Sequence, residues 1–221
     1  MNCFTARTVA TIKRAAIGLV TATLLTGACA ASATTVLLDP TSGGWVSYFN
    51  PVGPDPRPYP CFACDPIGTS NAAWEAANPG WNNVGYDDST WASYSGGWAP
   101  ADGSRTPFYL RKELNLIGTP TAGTFSIIVD DDYRVWVNGT MVLNDDSNGC
   151  CTFGTANLLP YLVDGDNVIA VKAENFPGGG FFIDFNGSVD FTPRAVPEPA
   201  TLALFGFALA GLGFGRRRKN V

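Results

Sequence analysis

The side chains in this 221-residue chain that could carry chemistry are carboxylates, aromatic rings and cysteines, because the sequence contains no histidine. That absence removes histidine-based triads, histidine general bases and the usual catalytic zinc sites. Asp130, Asp131 and Asp132 are consecutive and could offer clustered oxygens to a hard cation such as calcium. The D-x-D-x-D-G spacing of a calcium loop is missing, which weakens that reading. Asp145-Asp146 reads as a solvated hairpin tip and Asp87-Asp88 as a turn cap. A glycosidase pair needs two carboxyl groups about 5–10 Å apart with one pKa raised by burial, a condition that spacing along the chain neither meets nor excludes.

Aromatic residues offer a second chemistry. Sugar CH faces stack on exposed rings while nearby polar groups read the hydroxyls. Trp81, Tyr94 and Trp98 stand in loop-like sequence and are candidates for such a platform, with Arg111 and Arg134 as hydroxyl-binding partners. The competing reading places these rings in the core and pairs the two arginines with surplus carboxylates.

Six cysteines are present. Cys3 and Cys29 fall in the amino-terminal segment, leaving Cys61 and Cys64 ("CFAC") and the adjacent Cys150 and Cys151. In an exported chain four thiols favour disulfides, and three connectivities are open. A four-cysteine zinc site is the alternative, but adjacent cysteines make poor tetrahedral ligands.

The elements that must position these groups read as strands. "FYLRKELNL" (108–116), "TFSIIV" (124–129), "YRVWVNG" (133–139), "NVIAVKAEN" (167–175) and "FFIDFNGSVDF" (181–191) are rich in aromatic and β-branched residues. In the third, Tyr133, Val135 and Val137 share one face while Arg134 and Trp136 take the other. One of those faces must then be unusually exposed or covered by a loop. Asn138-Gly139 predicts a hairpin turn, and Asp164-Gly165 predicts another. Short strands separated by such turns predict an all-β sandwich, and nothing reads as a long amphipathic helix.

The two ends carry addresses. Arg7, Lys13 and Arg14 precede an apolar run from Ala15 to Leu25 and then small residues, the pattern of a signal peptide spanning 1–33. A lipoprotein reading of Cys29 is weakened by Thr26, which stands where leucine is usual. All 19 acidic residues lie between Asp39 and Glu198 with only seven of the 14 basic ones, which leaves that stretch near −12. Such a body repels nucleic acid and suits a hydrated polysaccharide matrix or bound cations. At the far end, an uncharged apolar stretch from Ala200 to Gly215 runs into Arg216, Arg217, Arg218 and Lys219. At roughly 15 residues it is shorter than the ~20 of an ordinary spanning helix, and its basic cluster would stay cytoplasmic.

The order "VPEP" (Val196, Pro197, Glu198, Pro199), apolar helix, basic block resembles the PEP-CTERM sorting signal. That resemblance implies recognition of the motif by exosortase, a membrane protease-transpeptidase, and a temporary tether at residues 195–221 that is removed later. In the body, "WNNVGYDDSTW", "FYLRKELNL", "DDDYRVWVNGTMV" and "GDNVIAVKAENFPGGGFFIDF" occur in the order that resembles galactose-binding-like jelly rolls accompanying β-galactosidase-type and rhamnosidase-type hydrolases. The resemblance spans roughly Trp81 to Phe191 and implies a module at 34–194 with no catalytic positions of its own. The "CFAC" loop, the Cys150-Cys151 insertion and the lack of an attached catalytic barrel depart from it.

Together these readings predict an exported, non-enzymatic protein that binds or organises extracellular polysaccharide at the cell surface or in a biofilm. Its expected partners are an exosortase-type protease, polysaccharide and, before processing, the inner membrane; no cofactor is expected beyond structural calcium. The alternatives are an acidic matrix protein that binds no particular sugar, and an orphan glycoside hydrolase.

Overall fold

A computed structural model describes residues 32–49, 72–96, 107–147, 151–175 and 181–194. The signal-peptide stretch up to residue 31, the sorting tail, Trp98, Cys61, Cys64 and Cys150 lie outside the described residues. In chain order the elements are β1 (Thr34–Leu37), β2 (Trp45–Phe49), α1 (Ala72–Ala77), β3 (Ala92–Tyr94), β4 (Phe108–Leu116) and β5 (Gly118–Asp130). They continue with β6 (Asp132–Val137), β7 (Thr140–Asp145), β8 (Thr152–Asn157), β9 (Gly165–Glu174) and β10 (Phe182–Pro193). Two antiparallel sheets result, one ordered β1-β10-β5-β8 and the other β3-β2-β4-β9-β6-β7.

Period-two alternation places one side chain of each pair between the sheets. Phe125, Ile127 and Val129 of β5, and Ile183, Phe185 and Val189 of β10, meet Leu110, Leu114, Val135, Val137, Ile169 and Val171 from the other sheet. Burying each such side chain stabilises the fold by about 2 kcal/mol relative to leaving it in water. All five strands expected from composition are present, as β4, β5, β6, β9 and β10. The short β1, β3, β7 and β8 carry too few apolar residues to announce themselves.

Asn138 and Gly139, with φ of 51° and 79°, turn β6 into β7 as the Asn-Gly pair predicts. The Asn138 side chain also fixes what lies beside the turn. Its Nδ2 donates to the Tyr161 carbonyl and to Asn167 Oδ1, each at 2.9 Å, and its Oδ1 accepts from Val168 N at 2.8 Å. Asp164-Gly165 does not form the second hairpin expected. The chain passes there from β8 in one sheet, through a 3₁₀ turn at Leu159–Tyr161, to β9 in the other. Asp164 instead accepts from Gly118 N at 3.0 Å and binds Arg194.

The outward face of the six-stranded sheet is not left to solvent. Residues 72–91 fold over it, so that Trp81 and Trp91 form a second apolar cluster with Tyr109 and Ala170. Trp136, whose face had to be either exposed or covered, lies edge-on to Trp81 at 5.2 Å. A sheet buried on both faces explains why β9 is buried from Asn167 to Glu174 without alternation. Among the described residues no helix is long and apolar enough to cross a membrane.

Candidate functional site

Among the described residues, those expected to form a sugar platform are not gathered on an open surface. Trp81 is 4 % exposed, packed against Tyr109 at 4.8 Å and Trp136. It therefore shows no ring face to a ligand. Arg111 is fully buried beside it, and every guanidinium nitrogen has a partner. Nε meets Asp88 at 2.7 Å, Nη1 donates to the carbonyls of Trp81 and Asn83, and Nη2 meets Glu113 at 3.0 Å. The Tyr86 ring lies 5.2 Å away. Arg111 is a structural ion that docks the 72–91 segment, as is Lys172, which meets Glu75 of α1 at 2.6 Å. Arg134 sits half-exposed on β6, its Nε donating to Asn144 at 2.6 Å and its Nη2 facing Asp146 at 3.4 Å.

Of the three consecutive aspartates, Asp130 ends β5 and Asp132 begins β6, fully buried. Asp131 makes the tight connection between them, its N–H donating to the Glu174 carbonyl at 2.8 Å. Among the described residues no group of three or more acidic or cysteine side chains is arranged to hold a metal ion. Cys151 is disulfide-bonded.

A different place has the features of a binding site. A cleft of about 600 Å³ opens where β1 leaves the edge of β10. Leu38 makes the last bond to that edge, donating to the Gly187 carbonyl at 3.0 Å; the chain then turns away at Asp39-Pro40. Proline cannot extend the ladder, since it has no N–H, and the Asp39 carboxylate closes the turn by accepting from Thr41 N at 2.9 Å and from the Thr41 hydroxyl. The Trp45 indole donates to the Asp39 carbonyl at 3.1 Å. Lys112, buried behind the turn, donates to Leu37 O, Ser42 Oγ and Gly43 O.

One wall of the cleft is this turn, a second is Ser95-Gly96 after β3, and the floor is β10 from Phe182 to Asn186. Alternation along β10 points Phe182, Asp184 and Asn186 outward, while Ile183 and Phe185 face the core. Phe182 leaves 37 % of its surface in water. The Asp184 carboxylate accepts from the neighbouring Phe185 N–H at 2.9 Å, which blunts the open strand edge against pairing with another chain. Tyr94, expected in the platform, lies behind the cleft at 9 % exposure, stacked on Phe185. Burial and then the charge of Asp184 push its hydroxyl up to about 12. Hydrogen bonds from Thr41 hold the Asp39 carboxyl below its ordinary value, so it is ionised at neutral pH.

Beside the cleft lies the outer face of the four-stranded sheet. Asp184 lies opposite Ile128, which lies opposite Phe153; Asn186 likewise faces Ser126 and then Thr155. Phe153 is 63 % exposed, and Ser126 and Thr155 share a hydroxyl bond of 3.0 Å. From the strand and residue spacings, the backbone positions of Phe153 and Phe182 lie about 12 Å apart on one face. The F-x-D-x-N alternation at 182–186 was the one sequence signal for this surface.

Residues 195–219 match the family model of the PEP-CTERM protein-sorting motif. The chain carries a PEP-CTERM sorting motif. The motif implies export of this protein, a membrane-anchored sorting signal and processing by an exosortase-type system. Its sandwich is similar in structure to a Bacteroides uniformis β-glucuronidase, at 18 % identity and a TM-score of 0.46, over 71 % of this chain and 18 % of that one. It is similar also to a glycosyl hydrolase family 2 member from Bacteroides cellulosilyticus, at 15 % identity and a TM-score of 0.43, over 70 % and 20 % of the two chains. A Streptomyces avermitilis α-L-rhamnosidase matches at 21 % identity and a TM-score of 0.32, over 46 % and 11 %. The chain thus spans less than a quarter of each of these proteins. No curated protein matches its sequence.

Proposed function

We propose that this protein is a non-catalytic, galactose-binding-like module that holds extracellular polysaccharide at the cell surface through the Asp39–Asn186 cleft and the adjoining sheet face. The observation that carries this reading is an exposed ring, Phe182, on the floor of an open cleft whose other outward groups are carboxylate, amide and hydroxyl. That is the mixture that stacks a sugar ring and reads its hydroxyls. Asp39, whose pKa is lowered, is unsuited to the role of a glycosidase's general acid. The tail at 195–221 serves as a temporary membrane tether, and Cys61, Cys64, Cys150 and Cys151 form the stabilising cross-links of the exported body.

The test is a polysaccharide array probed with the exported protein, with calcium and then with EDTA. Saturable binding that Phe182→Ala weakens about tenfold, without a change in thermal midpoint, is the expected result. A folded protein that binds no glycan would transfer the function to the acidic-matrix alternative. Turnover lost on substituting a single Asp or Glu would make it a hydrolase. Binding lost in EDTA would assign calcium a role in it.

A further inference from the structure

The cleft has a charge character that narrows its ligand, on the premise that it binds glycan at all. Asp39 enters from the turn and Asp184 from β10, and among the described residues that line the space there is no lysine or arginine. Lys112 lies closest, but it stands behind the turn, and its ammonium group is engaged by three oxygens at 3.2, 2.8 and 2.6 Å. It therefore offsets part of the negative charge and has no donor left to offer a ligand. The Tyr94 hydroxyl at the rear remains neutral. Both carboxylates already hold one local partner each, Thr41 and the Phe185 N–H. These bonds fix their positions and leave acceptor capacity toward the cleft, since an ionised carboxylate has about four lone-pair sites.

Phe182 adds a ring to this arrangement. An ammonium group is attracted both by the face of an aromatic ring and by a carboxylate, and a charge-assisted hydrogen bond is roughly twice as strong as a neutral one. A uronate would meet two like charges here, within a body near −12. We infer that the cleft selects glycans bearing free amino groups, such as de-N-acetylated hexosamine chains, over neutral, N-acetylated or uronate-containing ones.

The experiment is calorimetric titration of the full exported chain with four hexasaccharides: β-1,4-glucosamine, its N-acetylated counterpart, cellohexaose and oligogalacturonate. Hexalysine serves as a polycation without sugar rings. Glucosamine hexamer is expected to bind about tenfold more tightly than the N-acetylated form, with hexalysine weaker than either. Asp184→Asn, an isosteric change at an exposed position, should remove most of that preference; Asp39→Asn should reduce it more weakly. Near-ultraviolet circular dichroism of each variant confirms an unchanged fold.

Equal or tighter binding of the N-acetylated or neutral hexamer would overturn amine selection and leave the cleft as a sugar site. Tighter binding of galacturonate would do so too. Hexalysine matching glucosamine, or a preference that survives both Asp→Asn changes, would reduce the effect to general surface charge and overturn the inference. Failure of every glycan would overturn the binding function itself.

Discussion

On the six-stranded sheet the outward residues include Tyr109, Arg111, Lys172 and Trp136, and residues 72–91 close over them with four aromatic rings and two carboxylates. On the four-stranded sheet the outward residues include Ser126, Ile128, Phe153, Thr155, Phe182, Asp184 and Asn186, and Phe153 is 63 % exposed. Side chains alternate between the two sides of both sheets, so strand geometry alone does not decide which outer face is covered. The cover's own chemistry does. Long cations on a sheet need a segment that supplies carboxylates at the right height, and Asp88 and Glu75 supply them. Short hydroxyls and amides make no such demand, and Phe153 on that face is left exposed.

The contrast can be broken most severely on the covered side. Trp81→Ala should destabilise the protein by about 4 kcal/mol, the cost of a large buried aromatic, measured as a fall in the urea midpoint. Arg111→Ala should cost about 3 kcal/mol, because Asp88 and the carbonyls of Trp81 and Asn83 would lose their buried donor. In the same measurement Phe153→Ala should lie within about 0.5 kcal/mol of the parent, while its glycan affinity falls several-fold. A large stability loss at Phe153 would mean that the open face is covered as well.

The smallest effect concerns the turn that opens the cleft. Thr41 lowers the Asp39 pKa, so the folded protein holds that proton less readily than the unfolded chain does. The turn's contribution is therefore fully present above the ordinary value near 3.8 and is lost as pH falls through the lower folded value. Asp39→Asn should be slightly less stable than the parent at neutral pH, and the gap between their urea midpoints should narrow on acidification. A gap that widened instead would show that the carboxylate is not held by Thr41.

Much of the scaffold was legible along the chain. Five strands and the Asn138-Gly139 turn follow from composition and period alone, because a strand's alternation and a turn's positive φ are local demands. The site was legible only in fragments. Trp81 and Arg111 look like ligand-binding residues in sequence, and both are consumed in docking 72–91. Phe182, Asp184 and Asn186 look like an ordinary strand, and they floor the cleft. Asp164-Gly165 looks like a hairpin, yet the strands on either side of it belong to different sheets.

The sequence by itself determined the sorting motif at 195–219, the absence of histidine chemistry and the β character of the body. Each of these is carried by neighbouring residues and needs no distant partner. Only the tertiary structure decided which rings are core and which face water, since a ring is buried by a segment from elsewhere in the chain. The cleft has the same origin. Its walls come from residues 39–41, 95–96 and 182–186, and their convergence depends on sheet pairing between distant strands, which no local pattern records.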